Sequence, residues 1–470
     1  MKPGLFTIDD ILKATGGIIQ SEGPKGVHGV AVDSRLVKPG DLFVALKGAR
    51  VDGHSFVGKA FASGAHWALV EEGRSPELTS GRGGLVEVVD PWRALGDLAI
   101  YQRERYPVPV IGITGSIGKT STKDLVASVL REGFEVLYNL GNQNSDIGLP
   151  LTLFRLNEQH EVAVLEMAMR GPGQIAYLTE LARPQIGVIT NIDSTHMELL
   201  GSIEAIANAK AELLDALPSG GTAVLNWDCP WVRKVADRGP KSVVTFGLES
   251  ETDYRARDVE SYGARGSRFL LITPHGEQRV SLPLPGRHMV LNALAAAAVG
   301  ALLGLSLETI VRGLESASIS EMRAQIHKVG QLLVLNDAYN AHPQSMLAAL
   351  GLLGELEGDR KLAVLGSMLE LGSDTRDAHV RVGRAVAEQE VDGLITVGDV
   401  AGVMAQAAVD HGLSREVVCE CRDNDEAMRC LERWLRPRDA VLIKGSRGLG
   451  MEVIVDWLET GFGRSLSNGN

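Results

Sequence analysis

Cysteine is scarce in this chain of 470 residues, with four cysteines at positions 229, 419, 421 and 430. So few cysteines, three of them close together, do not make the disulfide framework of a secreted domain. The pair Cys419-x-Cys421 also lacks the spacing of a zinc site. We therefore predict reduced cytosolic thiols.

Positive charge is not in excess either. Lysine and arginine number 47 against 59 aspartates and glutamates, which gives a formal net charge of −12. Such a balance argues against a broad basic surface for nucleic acid or for an anionic membrane. A nucleic-acid partner is therefore not expected, although a local basic site is compatible with this charge.

The sequence shows no targeting or membrane-spanning segment. Residues 1–6 have no apolar signal core, and the most apolar run, residues 289–305, is too short for a span and contains Asn292. We expect no membrane insertion and a cytoplasmic location.

The length and the hydrophobic pattern indicate a multidomain α/β protein. A chain of 470 residues with 44% hydrophobic and 23% charged residues is expected to fold as two to four globular domains. Glycine is abundant, at 54 residues, and it concentrates where strands lead into helices. Short apolar runs alternate with helical patterns over most of the chain, which is typical of parallel sheets covered by helices on both faces.

Breaks in this pattern predict three domains. Residues 1–107 form a small α/β domain that ends at Tyr106-Pro-Val-Pro109, because proline disfavours helix in the residue before it. Residues 108–319 form a central parallel-sheet domain, in which residues 253–284 alternate as an antiparallel extension. The strand and helix rhythm resumes after residue 320, so residues 320–470 are predicted to form a Rossmann-like domain.

A glycine-rich turn between a strand and a helix is the most informative stretch. It reads Val110-Ile-Gly-Ile-Thr-Gly-Ser-Ile-Gly-Lys-Thr-Ser121 and precedes a helical pattern over residues 123–131. Backbone N–H groups at such a turn can surround a polyphosphate, while Lys119 neutralises charge and the Thr120 hydroxyl can bind Mg²⁺. The strict Gly-x4-Gly-Lys-Ser/Thr spacing is not met, so a turn that binds no nucleotide is the alternative. The predicted phosphate-binding residues are Thr114, Gly115, Ser116, Gly118, Lys119, Thr120 and Ser121.

Two further candidates follow predicted strands. Glu166 comes after the run 162–165, and His196 comes a few residues after the run 186–191. Open α/β sheets bind ligands at the carboxyl ends of their strands, so we expect both side chains at the same sheet edge as Thr120. The simpler interpretations are a strand-end charge for Glu166 and a structural role for His196.

Lys210 lies in the helical segment 205–214. For this residue, spacing alone predicts a solvent-exposed lysine.

Taken in order, these motifs resemble the Mur ligases of peptidoglycan synthesis. The resemblance rests on Thr114-Gly-Ser-Ile-Gly-Lys-Thr120, Val164-Leu-Glu-Met167, Ala209-Lys-Ala-Glu212, Asn292-Ala-Leu-Ala295 and Asp337-Ala-Tyr-Asn-Ala-His-Pro343. It extends over essentially the whole chain. It implies one domain for a UDP-linked substrate, one P-loop ATPase domain and one for the incoming amino compound.

The resemblance also implies an ATP-dependent, ADP-forming amide ligase of cell-wall precursor synthesis. Narrower matches at residues 33–48, 146–152, 337–346 and 364–371 imply the joining of D-alanyl-D-alanine to UDP-N-acetylmuramoyl-tripeptide. In that reaction ATP phosphorylates the substrate carboxylate to an acyl phosphate, which the amine attacks. The expected cofactors are ATP and Mg²⁺, the expected partners are these small-molecule substrates, and the expected state is a monomer.

Residue roles are implied by the same resemblance. Lys119 and Mg²⁺ stabilise the transferring phosphoryl group. Thr120 and Glu166 hold one Mg²⁺ and His196 a second, while Lys210 matches a lysine that the family carbamylates into an anionic, magnesium-organising group. The expected catalytic residues are Lys119, Glu166, His196 and Lys210. The further residues expected to contact the nucleotide are Asn292, Arg323, Asp337 and Asn340. The residues expected to contact the UDP-sugar are Ser34, Arg35 and Lys47. The alternative for this second set is a purely structural role, in a turn and at a strand end.

Two residues depart from the family pattern, and other functions compete. Ser367 stands where the family usually has aspartate, and Ile117 occupies a position that is more often polar.

The alternative functions are a ligase that adds the third amino acid to the UDP-muramoyl-dipeptide, a folylpolyglutamate synthase-like ligase, and a nucleotide-binding regulatory protein without ligase activity. The Asp-Asn-Pro-Arg type of segment expected of the ligase that adds a diamino acid is not found.

Overall fold

The computed structural model describes residues 4–74, 83–194, 197–240 and 242–462. The chain divides into two compact units. The first comprises Met1–Gly112, Phe134–Met169 and Gly173–Gln185, and the second comprises Ile113–Gly133, Arg170–Pro172 and Ile186–Asn470. Each unit is built mainly from helices packed on parallel strands.

The N-terminal part of the first unit is a five-stranded sheet with three helices. Its elements are β1 (Phe6–Thr7), α1 (Ile8–Thr15), β2 (Ile18–Ser21), β3 (Gly26–Val27), β4 (Val30–Ala31), β5 (Leu42–Val44), α2 (Val57–Ala62), β6 (Trp67–Glu71), β7 (Gly84–Val88) and α3 (Pro91–Arg105). The strand order is β2-β7-β6-β5-β4, in which only β2 is antiparallel, and β1 pairs separately with β3. Helix α3 ends directly before Tyr106, as expected upstream of Pro107.

The remainder of the first unit surrounds a second group of strands. It contains the first three residues of β8 (Val110–Thr114), then β9 (Val136–Tyr138), α5 (Gly148–Leu153), β10 (Val162–Glu166) and α6 (Gln174–Ala182). Strand β10 pairs in parallel with β9 and is also a neighbour of β8. Its five residues are all buried, as the continuous apolar run predicts.

The second unit begins with the last two residues of β8. Its first part contains α4 (Lys119–Leu130), β11 (Ile186–Ile189), α7 (Met197–Leu200), α8 (Ile203–Asp215), β12 (Thr222–Asn226), α9 (Pro230–Val235), β13 (Ser242–Gly247), β14 (Tyr254–Ser261), β15 (Ser267–Thr273), β16 (Gly276–Leu282), α10 (Arg287–Leu302) and α11 (Leu307–Glu315). Strands β11 to β14 pair in parallel, whereas β14, β15 and β16 are antiparallel. The predicted antiparallel extension over residues 253–284 is thus confirmed.

The last part of the second unit is a six-stranded sheet. Its elements are β17 (Gln325–Val329), β18 (Leu332–Asn336), α12 (Pro343–Glu355), β19 (Arg360–Gly366), α13 (Thr375–Glu388), β20 (Gly393–Val397), α14 (Gly402–Asp410), β21 (Val418–Cys421), α15 (Asn424–Trp434), β22 (Asp439–Lys444) and α16 (Glu452–Trp457). The order is β17-β18-β22-β19-β20-β21, with only β17 antiparallel. This is the predicted Rossmann-like arrangement.

The predicted fold class is confirmed, because parallel sheets with covering helices recur along the chain. The compact units group the chain differently from the predicted ranges 1–107, 108–319 and 320–470, which remain predictions. Within the described ranges, no helix has the length and apolar character needed to cross a bilayer.

Candidate functional site

The glycine-rich turn joins the end of β8 to the start of α4. Gly118 is the residue before the helix and has a φ of +82°, and Gly115 has a φ of +152°. A Cβ on Gly115 would lie 2.0 Å from Thr190 Oγ1, so no larger residue fits there. Helix α4 starts at Lys119 and not at residue 123 as the helical pattern suggested, because the glycine turn lets the helix begin directly behind it.

The turn is held by the residues that follow β11. Thr190 Oγ1 donates to the Ile117 carbonyl at 2.6 Å, and the Asn191 side-chain oxygen accepts from the Ile117 N–H at 2.8 Å. Ser116 Oγ donates to the Asp193 carbonyl and accepts from the Asp193 N–H, both at 2.9 Å. Sequence reasoning missed Thr190 and Asn191, although a polar pair directly after a buried strand was a usable signal. These contacts also explain why an apolar residue can stand at position 117, where the family more often has a polar one. The backbone of Ile117, and not its side chain, makes the hydrogen bonds that hold the loop.

Two lysines meet at one carbonyl oxygen of this turn. Lys119 Nζ donates to the Gly115 carbonyl at 2.8 Å and to the Ser116 carbonyl at 3.1 Å. Lys210 Nζ, from α8, donates to the same Gly115 carbonyl at 3.0 Å. The amino groups of both lysines therefore lie at the phosphate turn.

Lys210 is buried, with 2% of its surface exposed, so the interpretation as a solvent-exposed helical lysine is wrong. The lysine lies on the inner face of α8, which it shares with the buried Ala207 and Leu214. Burial holds the pKa of the Lys210 amine well below its ordinary value, and the positive charge of Lys119 lowers that pKa further. The amine is thus biased toward its neutral, nucleophilic form.

The start of α4 also carries the other predicted phosphate residues. Thr120 and Ser121 occupy the first turn of the helix and are buried, and Thr114 is the buried last residue of β8. Asn292, from α10, lies beside this turn, since a Cβ on Gly118 would come within 3.0 Å of its side-chain oxygen. The predicted phosphate residues and Asn292 are therefore neighbours within the second unit.

Glu166 lies in the first unit, at the carboxyl end of β10 as predicted, and is 2% exposed. Its Oε1 accepts a 2.7 Å hydrogen bond from Asn144 Nδ2. Its backbone N–H donates to the Asn139 side-chain oxygen at 2.6 Å. Asn139 and Asn144 were missed, because they lie on the segment after β9 that carries no periodic signal.

The predicted magnesium ligands have suitable chemistry. Thr120 and Glu166 offer a hydroxyl and a carboxylate, the oxygen donors that Mg²⁺ prefers. His196 lies outside the described residues. In the part of the chain that the structure describes, no three His, Cys, Asp or Glu side chains converge as a metal-binding group. The metal-binding roles thus remain predictions.

A charged cluster lies at the carboxyl ends of β18 and β22 in the C-terminal sheet. Lys444 Nζ donates to Asp337 Oδ2 at 2.5 Å and to the Asn340 carbonyl at 2.9 Å. Arg323 stacks over the Tyr339 ring, 4.1 Å from its centre. The Ala324 N–H, next to Arg323, donates to Asp337 Oδ1 at 3.1 Å. The structure therefore brings Asp337, Asn340 and the segment of Arg323 together. Sequence reasoning missed Lys444, which ends the buried strand β22.

The predicted UDP-side residues lie on two loops of the first unit. Ser34 and Arg35 follow β4, and Lys47 follows β5, so the parallel pairing puts them at the same sheet edge. Arg35 forms a 2.6 Å ion pair with Asp33, and its hydrogen bonds lower the pKa of that carboxyl to about 2. Ser34 is buried, whereas Arg35 and Lys47 are exposed.

Ser367, the departure from the family pattern, is buried and directly follows the last residue of β19. Its Oγ accepts from the Val400 N–H at 3.3 Å and donates to the Val397 carbonyl at 3.4 Å. A hydroxyl that both donates and accepts suits this pair of backbone groups better than an ionised carboxylate, which only accepts.

Comparison with known proteins agrees with this geometry. Residues 26–103 match the model of the Mur ligase family catalytic domain, residues 113–300 the Mur ligase middle domain, and residues 322–447 the Mur ligase glutamate ligase domain. The UDP-N-acetylmuramoyl-tripeptide--D-alanyl-D-alanine ligase of Bacillus subtilis (strain 168) is 38% identical over 432 residues, covering 91% of this chain and 92% of the relative. The chain belongs to the Mur ligase family.

Other members of the Mur ligase family support the same assignment. The Escherichia coli (strain K12) enzyme of the same name is 36% identical over 435 residues, covering 92% of this chain and 93% of the relative. A crystal structure of MurF from Acinetobacter baumannii matches with a TM-score of 0.87 and 31% identity, over 97% of this chain and 98% of the other. The Thermotoga maritima MurF ligase in complex with ADP matches with a TM-score of 0.81 and 27% identity, over 94% and 98% of the two chains. This Mur ligase chain therefore has the three-domain α/β fold of MurF structures.

Proposed function

We propose that this chain is the ATP-dependent ligase that joins D-alanyl-D-alanine to UDP-N-acetylmuramoyl-tripeptide. The substrate carboxylate takes the γ-phosphoryl group of ATP, which gives an acyl phosphate and ADP. The amine of D-alanyl-D-alanine then attacks the acyl carbon, and inorganic phosphate leaves as the amide forms. The relatives named above carry this activity in their names and span nearly the whole chain.

The observation that carries the proposal is the pair of lysines on the Gly115 carbonyl. In phosphoryl transfer, negative charge spreads over the transferring oxygens, and catalysis consists mainly of positioning and charge stabilisation. Lys119 supplies a positive charge at a turn whose backbone is pinned by Thr190 and Asn191. A rigid turn fixes the start of α4, whose first N–H groups can bind phosphate, without reorganisation during the reaction.

Lys210 is proposed to act as a carbamate. Its buried amine attacks the carbon of CO₂, and loss of one proton leaves a carbamate anion on Nζ. Two neighbouring ammonium groups repel each other, whereas a carbamate beside Lys119 makes an opposite-charge pair. The low pKa of the Lys210 amine favours this reaction, because only a neutral amine is a nucleophile.

Magnesium binding is proposed for Thr120, Glu166, His196 and the carbamate of Lys210. When bound, Mg²⁺ neutralises charge on the transferring phosphoryl group. Asn144 orients the Glu166 carboxylate through its 2.7 Å hydrogen bond, which is a common arrangement for residues that support a metal ligand.

The remaining predicted residues are assigned to the substrates. Asn292, Arg323, Asp337 and Asn340 are proposed to contact the nucleotide. Ser34, Arg35 and Lys47 are proposed to bind the UDP-sugar, for which a cation such as Arg35 offers a partner to the diphosphate. We further propose that the chain works in the cytoplasm, where ATP is available, as a monomer.

Mass spectrometry of the product tests the proposal directly. The full chain is incubated with ATP, Mg²⁺, UDP-N-acetylmuramoyl-tripeptide and D-alanyl-D-alanine, and the expected product is the pentapeptide with one ADP and one phosphate released per amide. Parallel reactions offer a single diamino acid with the UDP-muramoyl-dipeptide, or glutamate with a folate. A product in either parallel reaction and none in the first would replace the proposal. ADP release without any acceptor would point to a regulatory nucleotide-binding protein.

A further inference from the structure

A buried carboxylate on α4 holds the segment that leads into the C-terminal sheet. Asp124 lies on α4, five residues after Lys119, and is 9% exposed. Its Oδ2 accepts two hydrogen bonds from Ser320, one from the backbone N–H at 2.8 Å and one from Oγ at 2.7 Å. Ser320 lies in the linker segment, residues 316–324, between α11 and β17. The contact therefore joins two parts of the second unit that are 196 residues apart in sequence.

The charge of this carboxylate is also buried on its other side. Asp124 Oδ1 pairs with Lys123 Nζ at 2.9 Å, and Lys123 is 1% exposed. Taking two charges out of water costs free energy, so a buried ion pair stabilises a fold no better than apolar residues of similar size. Its directed hydrogen bonds, however, fix where the partner group lies. The aspartate is therefore better explained by the place that it gives to Ser320 than by stability.

The linker segment has no slack at its C-terminal end. Met322 and Ala324 have φ values of +58° and +50°, a conformation that non-glycine residues keep only where their surroundings impose it. Those surroundings are the next loop: the Tyr339 N–H donates to the Met322 carbonyl at 3.3 Å, and the Ala324 N–H donates to Asp337 Oδ1 at 3.1 Å. Arg323, between these two residues, stacks on the Tyr339 ring. Contacts therefore fix the backbone around Arg323.

We propose that Asp124 is a positioning residue for Arg323 and that it acts through Ser320. This inference rests on the proposed function, in which Arg323 contacts the nucleotide whose phosphates lie at the turn before α4. Arg323 follows Ser320 by three residues, so their Cα atoms are at most about 11 Å apart. The two hydrogen bonds of Ser320 thus tie the backbone of Arg323 to the helix that starts at Lys119. A nucleotide bound at the turn meets Arg323 already in place, and less binding energy is spent on ordering it.

Removal of the Ser320 hydroxyl tests the proposal on the full chain. Ser320→Ala removes one of the two hydrogen bonds to Asp124 and leaves the pair with Lys123 intact. In calorimetric titrations, we expect the affinity for ATP to fall by about three- to tenfold, because one hydrogen bond to the carboxylate remains. The affinity for the UDP-linked substrate should stay unchanged.

Two further serine variants serve as controls. Ser320→Thr keeps a hydroxyl and should retain most of the ATP affinity. Ser318→Ala, at an exposed serine of the same linker segment, should retain all of it. Melting temperatures show whether each variant is folded, and Ser320→Cys, which keeps the size of the side chain and weakens its hydrogen bond, takes the place of Ser320→Ala if that variant does not fold.

A second background shows whether Ser320 acts through Arg323. In an Arg323→Ala chain, Ser320→Ala should cause no further loss of ATP affinity, because the side chain that it positions is absent. A purely structural role would weaken ATP affinity by the same factor in both backgrounds.

Three results would overturn the proposal: unchanged ATP affinity in Ser320→Ala, an equal loss of affinity for the UDP-linked substrate, or an equal loss in the Arg323→Ala background. Each of them leaves the proposed function intact as long as the parental chain binds ATP. A parental chain that binds no ATP would instead reject the proposed function, and the role of Asp124 with it.

Discussion

The phosphate turn of the second unit and the substrate-side loops of the first unit are held in opposite ways. The phosphate turn, residues 115–119, is buried or half-buried; it accepts hydrogen bonds from Thr190 and Asp193 and donates to Asn191, all of which follow β11. The substrate-side loops, residues 33–35 and 47–52, are mostly exposed, and their charged groups pair locally, as in the Asp33–Arg35 ion pair.

In the roles proposed above, this difference separates the region of the chemistry from the region of substrate recognition. A turn that must stabilise charge during phosphoryl transfer gains from rigidity, because misplacement of the reacting groups by about 1 Å can cost about a hundredfold in rate. An exposed arginine in a local ion pair can exchange its partner for a ligand phosphate at little cost, since such surface pairs contribute little to stability. Substitutions in the two regions should therefore have different kinetic signatures.

The largest effect is expected at Gly115. In Gly115→Ala, the added methyl group would overlap Thr190 Oγ1, so the turn must move and Lys119 moves with it. We expect the rate of ligation to fall on the order of a hundredfold or more, and overpacking to lower the free energy of unfolding by about 1–3 kcal/mol. Steady-state kinetics and thermal unfolding measure the two effects.

Gly220→Ala is the matched control for Gly115→Ala. Gly220 lies in the same unit, and a Cβ built there meets no atom within 4 Å. This control should retain the parental rate. Parental activity in Gly115→Ala as well would contradict the rigid-turn interpretation.

The next effect is expected at Lys210. Lys210→Ala should lose more than about tenfold in activity while remaining folded, because the carbamate proposed beside Lys119 can no longer form. Added formate or acetate should restore part of the activity by occupying the vacated position. Initial rates with and without the acid are the measurement.

Lys119→Ala is the control for this rescue. It should lose on the order of a hundredfold in rate, because a cationic stabiliser is removed, and a carboxylic acid should not restore it. Equal rescue of both variants would contradict a carbamate at Lys210. A near-parental rate of Lys210→Ala would reject any role for that residue.

A smaller, selective effect is expected at the exposed turn. Arg35→Ala should weaken the affinity for the uridine substrate by about three- to tenfold, in line with one exposed charge-assisted contact, and leave ATP affinity unchanged. Calorimetric titration with each substrate measures both affinities. Arg93→Ala, an exposed arginine on α3, serves as the control and should change neither. Equal losses for the two substrates would reject the separation of the two regions.

The smallest effect concerns stability alone. Hydrogen bonds from the His54 side chain and backbone, with Arg74 nearby, lower the pKa of Asp52 to about 2. A carboxyl whose pKa is lower in the folded chain than in the unfolded chain stabilises the fold above pH of about 4, and this stabilisation is lost as the pH falls toward 2. Asp52→Asn should therefore lower the melting temperature by about 1–2 °C at pH 7, and by less at pH 3. An equal difference at both pH values would contradict this linkage.

Much of the fold could be predicted from the sequence, because buried parallel strands are continuous apolar runs. The runs at residues 110–113, 162–165 and 440–443 all lie within strands of the structure. The start of α4 was misplaced, since Thr120, Ser121 and Thr122 are weak helix formers and the helix depends on the preceding glycine turn. Site residues that belong to a recognisable motif, such as Lys119, were predicted from the sequence. Residues that only three-dimensional contacts reveal, such as Asn144 and Lys444, were missed.

By itself, the sequence determined the elements and the order of the motifs: the strands, the glycine turn with Lys119 and Thr120, and the acidic residue at the end of β10. Only the tertiary structure decided which side chains are taken out of water and which partners they meet. Lys210 is the plainest case, because helical spacing predicts a surface lysine, whereas the packing of α8 buries its amine against the Gly115 carbonyl. Burial depends on the neighbours that the fold supplies from distant positions, and no local pattern records them.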